Sequence, residues 1–121
     1  MKARLRSLSH AIRGVSHLLR FEHNARLHLF FAVIAVALGI WLHISAVEWL
    51  VVILCIGFVI SAELFNTAIE VLADQVTHEN NKEIGDVKDM SAAGVLIAAL
   101  AAVVAGLVIF GPKLLALALF T

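Results

Sequence analysis

Glu63, Glu70 and Asp74 stand in one short stretch, Ala62 to Asp74, together with Asn66 and Thr67. On a helix turning about 100° per residue, Glu63, Thr67, Glu70 and Asp74 fall within a stripe about 60° wide, with Asn66 just beside it. Leu64, Phe65, Ala68, Ile69, Val71 and Leu72 take the other faces. Oxygen donors gathered on one side suit a hard cation such as Mg²⁺, which prefers one or two carboxylates plus substrate phosphates. A carboxylate left without metal can act as a general base. Downstream, Lys88-Asp89 supplies a cation for a phosphate beside a further acid.

The stretch continues an apolar run, Val47 to Ser61, that is greasy enough for a membrane. An acid near the centre of a membrane helix costs roughly 2.5–3.5 kcal/mol, whereas each Leu, Ile, Phe or Val returns only about 0.3–0.6 kcal/mol. Glu63 and Glu70 would therefore offset the gain from about ten aliphatic residues. Acids that merely formed the solvated end of a long helix would have no reason to keep to one side. The stripe predicts polar groups turned together towards a partner helix or a wet cleft, with Asp74 at the membrane interface.

The elements around it follow from hydropathy. The 121 residues are 62% hydrophobic and 15% charged, with a mean hydropathy of +1.00, values of an integral membrane protein. Leu5, Leu8, Ile12, Val15 and Leu19 recur at spacings of 3, 4, 3 and 4, predicting an amphipathic surface helix over about residues 3–21. No apolar core or cleavage site of a signal peptide precedes Arg26. Leu27 to Ile44 predicts a first span of about 27 Å, with Trp41 and Trp49 at one interface. A second span runs over 47–74 and a third over about 90–110. Between them, 75–89 reads as a polar loop, and Gly111-Pro112 as an interruption before a short apolar tail, Leu114 to Phe120, that either extends the helix or lies at the interface. In the third span Gly94, Ala98, Ala102 and Ala105 or Gly106 keep one face small, a pattern for close helix approach or simply an alanine-rich span.

Six of the nine Lys and Arg residues lie in the first 26 positions, which puts the N-terminus in the cytoplasm. Three spans then gather Glu22, the Glu63–Asp74 stripe and Lys88-Asp89 at the cytoplasmic face, against the vote of the single Lys113. Three thin helices cannot shield so many polar groups, which predicts a homo-oligomer.

Other chemistries find little support. No GxxxxGK[ST] or GxGxxG sequence occurs, so a nucleotide site would not be of a standard type. The six histidines form no HxxxH pair, and His23 and His28, near the membrane edge, read as surface residues. Cys55, the single cysteine, lies in an apolar run and reads as packing. Nothing resembles a base-reading module, so nucleic acid is not an expected partner. Two classes survive: a membrane-embedded phosphotransferase acting on a lipid, and a cation- or proton-translocating subunit using Glu63 or Glu70. A scaffold would not need the carboxylates. The polar segment with Lys88-Asp89 favours the first.

The sequence Glu63-x-x-Asn66-Thr67-Ala68-Ile69-Glu70-x-x-x-Asp74, followed by Lys88-Asp89 and a small-residue span, resembles the prokaryotic diacylglycerol kinase and undecaprenol kinase family. The likeness runs from about Leu8 to Leu115. It implies an all-α integral membrane protein with three transmembrane helices and an N-terminal surface helix, assembled as a homotrimer with active sites shared between subunits. It also implies an ATP- and Mg²⁺-dependent lipid kinase in the bacterial inner membrane. By the same resemblance Glu63 matches the general base, and Glu22 and Glu70 the Mg²⁺–ATP ligands. Asn66 and Asp74 match supporting positions, and Lys88 and Asp89 the nucleotide-contacting pair. Glu79 and His10 fall at nucleotide-side positions. The chain departs from the pattern with Asn80-Asn81 where members often carry a histidine, and with His10 where some carry a tyrosine. Glu22-x-Asn24, His28, Glu48-Trp49 and Phe110 to Leu115 resemble the undecaprenol branch more than the diacylglycerol branch. The expected acceptor is undecaprenol; the alternative, diacylglycerol, would give phosphatidic acid.

Overall fold

The computed structural model describes residues 2–120, with side chains from residue 4 onward. Four helices follow in order: α1 (Lys2–Phe21), α2 (His23–Trp41), α3 (Ala46–Val76) and α4 (Lys82–Phe120). The last three are each long and apolar enough to cross a membrane. The protein is an all-helical membrane protein with three spans and an N-terminal helix. Leu5, Leu8 and Ile12 on α1 stay about 60% exposed, so this chain leaves the apolar stripe uncovered, as a helix lying in a bilayer interface requires.

The turn from α1 to α2 is made at Glu22, whose backbone is extended and whose carboxylate does not cap α2. Leu18 and Ala25 on either side are fully buried and fix the corner. At the far end of α2, His43 takes a left-handed conformation at φ 49°, and Ser45 starts α3 with a capping box. The Glu48 amide donates to Ser45 Oγ at 3.2 Å, and the Ser45 amide donates to Glu48 Oε2 at 2.7 Å. Gly39 is required here: a Cβ would meet the Trp49 ring at 2.8 Å. The core cluster of Ile44, Val52, Ile109 and Phe110 occupies this end of the bundle.

α3 and α4 form an antiparallel hairpin tied near both ends. Lys88 Nζ lies 2.5 Å from Asp74 Oδ1, and Lys113 Nζ lies 3.0 Å from Glu48 Oε1. Along α3 these two pairs are separated by about 39 Å, close to the ~40–45 Å thickness of a bilayer with its headgroups. Ala98 on α4 is buried and Ala102 half-buried, whereas Gly94 has no neighbour within 4 Å of where a Cβ would sit. The small stripe therefore serves contact within the chain only in part.

Two sequence expectations change. The segment 75–89 is not a loop throughout: α3 runs to Val76, and α4 begins at Lys82. Asn81 caps it, its Oδ1 accepting from the Ile84 amide at 3.1 Å, with Glu83 in the first turn where the helix dipole favours an acid. Nor does Gly111-Pro112 interrupt α4, which continues to Phe120. Proline removes one backbone donor, but the residue before it is glycine, without the Cβ that proline's ring would crowd. Membrane helices tolerate such a site.

Candidate active site

The α3 stripe grades from dry to wet along its length. Glu63 is 3% exposed and Thr67 7%. Glu70 is half-buried and Asp74 exposed, at the level where α3 leaves the apolar zone. Asn66 donates from Nδ2 to Glu70 Oε1 at 3.5 Å, one turn along. Its own Oδ1 is buried without a hydrogen-bond partner, as are Thr67 Oγ1, Ser91 Oγ and Glu63 Oε1. Buried polar atoms are nearly always paired, so these groups call for a partner outside the chain's own side chains: water, an ion, a ligand or a neighbouring subunit.

The residue facing Glu63 is His28, from the second turn of α2. Its Nε2 lies 3.2 Å from Glu63 Oε1, an electrostatic contact without the alignment of a hydrogen bond. The surface assignment expected for His28 is therefore corrected: the α1–α2 corner at Glu22 turns this face of α2 onto α3, while His23 remains exposed. Besides His28, the charges of Glu22 and Glu70 also bear on Glu63, and that of Glu70 bears on Lys88. One chain thus brings together Glu22, His28, Glu63, Glu70, Asp74 and Lys88 from three helices and a corner.

Three expected site residues stand apart. His10 is exposed on α1 and bonded to the Arg13 side chain. Glu79 is exposed in the link between α3 and α4, its amide donating to Thr77 Oγ1 at 3.1 Å. Asp89 is exposed beside Lys88. Among the described residues no ion pair joins these three to the cluster.

A cleft of about 340 Å³ opens between α2, α3 and α4. Its walls are apolar, among them Phe31, Ala35, Val59 and Ala102, and His28 stands at one end. Glu63 does not line the cleft itself but touches it through His28, and the apolar walls can take a lipid tail.

The residues also fit a hard cation. Glu22 and Glu70 offer carboxylate oxygens and no thiolate. Among the described residues no three His, Cys, Asp or Glu side chains converge on a metal cage. Mg²⁺ held largely by nucleotide phosphates and water asks for no more than one or two protein carboxylates.

Comparison with known proteins decides the class. The model of the prokaryotic diacylglycerol kinase family matches residues 9–110. The chain belongs to this family. It is 36% identical over 109 residues to the undecaprenol kinase of Bacillus subtilis, covering 90% of this chain and 89% of that one. It is 35% identical over 112 residues to a diacylglycerol kinase of Synechocystis, covering 92% of this chain and 64% of that one. To the diacylglycerol kinase of Escherichia coli it is 35% identical over 71 residues, 59% of this chain and 58% of that one. As a member of the prokaryotic diacylglycerol kinase family it is an integral-membrane lipid kinase, and the cation-pathway and scaffold readings fall away.

Proposed function

We propose that the chain transfers the γ-phosphoryl group of ATP to undecaprenol, giving undecaprenyl phosphate, with Glu63 as general base. The observation that carries this is the position of Glu63: 3% exposed and in contact with His28, which lines an apolar cleft. Undecaprenol is put ahead of diacylglycerol on the likeness to the Bacillus subtilis undecaprenol kinase, 89% of whose length is matched, against 64% of the Synechocystis diacylglycerol kinase at nearly equal identity.

In the reaction, Glu63 takes the proton of the lipid hydroxyl as that oxygen attacks the γ-phosphorus. The bond from the γ-phosphorus to the ADP oxygen breaks, and the proton later passes from Glu63 to solvent. Glu22 and Glu70 would hold Mg²⁺, which would supply neutralisation of phosphate charge. Asn66 orients Glu70 through its amide. Lys88 turns from Asp74 to a phosphate oxygen, and Asp74 steers it there. Asp89, Glu79 and His10 lie on the nucleotide side, contributed across a subunit boundary.

That boundary belongs to a homotrimer in the bacterial inner membrane, with the N-terminus and the site in the cytoplasm. Phe30, Phe58, Phe65 and Leu107 are each 60% or more exposed in one chain, where they face lipid or a neighbouring subunit. The test is transfer from γ-labelled ATP in detergent micelles containing undecaprenol, diacylglycerol or both. The expected result is strong preference for undecaprenol; preference for diacylglycerol would reassign the acceptor.

A further inference from the structure

His28 does not belong to the α3 stripe, yet it makes the contact nearest to the reacting carboxylate. Glu63 is almost dry, and a buried carboxylate is costly unless a donor meets it. The polar neighbours on its own helix do not meet that need. Asn66 directs its amide to Glu70, and Thr67 Oγ1 is itself unpartnered. Among the described residues, the charged or ionisable side chain that approaches Glu63 Oε1 within 4 Å is His28, reaching across from α2, and Oε1 has no aligned hydrogen bond. The His28 ring is itself well placed to stay put. Ala25, one turn earlier on α2, is fully buried, and the ring's own side chain is only 23% exposed. It also lines the apolar cleft, whose wall offers, apart from Cys55, no other polar side chain.

We infer that His28 is the positioning residue of Glu63: its Nε2–H holds one carboxylate oxygen, so that the other is left to meet the lipid hydroxyl. A single short donor suits this task. It meets one oxygen and leaves the lone pairs of the second free to accept a proton. The proton goes to Glu63 and not to His28, whose Nε2 already carries one. A lysine or arginine here would bring a fixed charge and several donors, which would cover both oxygens. The inference rests on the assignment of Glu63 as base, and the test separates the two.

The full-length protein is assayed in micelles with γ-labelled ATP and undecaprenol, with diacylglycerol as a second acceptor. Three variants are compared: His28→Ala, His28→Gln and Glu63→Gln. Loss of a donor to a charged group corresponds to about a ten- to hundredfold fall in kcat for His28→Ala, with KM for ATP changed by less than about twofold. Free imidazole restores part of that rate, and His28→Gln, which keeps an N–H donor, retains most of it. A purely packing role would give neither rescue. His28→Ala turning over within about twofold of the parent, while Glu63→Gln is inactive, overturns the role of His28 and leaves the base in place. Equal, imidazole-insensitive losses in the Ala and Gln variants overturn it as well. An active Glu63→Gln would instead remove the base itself.

Discussion

At the scale of single residues, the reach of each carboxylate follows from its depth. Glu63 is dry and Asp74 is wet, with Glu70 between them, so one helix face offers three environments to one reaction. Glu70→Ala should weaken Mg²⁺-dependent nucleotide binding. Loss of residues that merely support a metal ligand costs about 10–100-fold in metal affinity, so loss of a ligand should raise the Mg²⁺ requirement by at least about tenfold. A Mg²⁺ titration of turnover checks it, and an unchanged requirement would exclude Glu70 as a ligand. Lys88→Met should raise KM for ATP while leaving the lipid KM in place, because the ammonium that Asp74 now holds is lost to the nucleotide.

At the scale of helices, what could be read from the sequence depended on whether the signal was local. The α1 stripe and the three apolar segments are patterns within one element, and hydropathy exposes them directly. The one-sided grouping of Glu63, Thr67, Glu70 and Asp74 was legible for the same reason: it lies on one helix. The contact between His28 and Glu63 was not, because no spacing rule connects positions on different helices. The start of α4 was hidden by its composition. Two polar turns, Lys82 to Asp89, look like a loop until Asn81 is seen to cap them. Pro112 misled in the other direction, since a membrane helix absorbs the lost donor that would end a helix in water. Packing offers its own test. Gly39→Ala should destabilise the protein by about 1–3 kcal/mol through the clash with Trp49, less what alanine gains in helix propensity. Gly57→Ala, with open space around it, should be neutral or stabilising; thermal melts of both variants in detergent compare them directly.

At the scale of the whole molecule, one chain is a thin membrane hairpin with a third helix alongside, its polar cluster at one end and its apolar core at the other. The two ion pairs, Asp74–Lys88 and Glu48–Lys113, bracket a membrane's thickness between them. With Cys55 replaced by alanine, a cysteine placed at Asn80 should react with an impermeant thiol reagent in inside-out vesicles and not in right-side-out ones. The reverse pattern would invert the orientation. In mild detergent the particle should have three times the mass of the chain. The central claim is that a dry carboxylate on α3 takes the proton of a lipid alcohol. Phosphate transfer by Glu63→Gln, measured beside its Mg²⁺–ATP binding and its assembly state, tests this most directly. The account predicts a fall of about 10²–10⁴-fold in turnover with binding and assembly preserved. Near-normal turnover in that variant would contradict it.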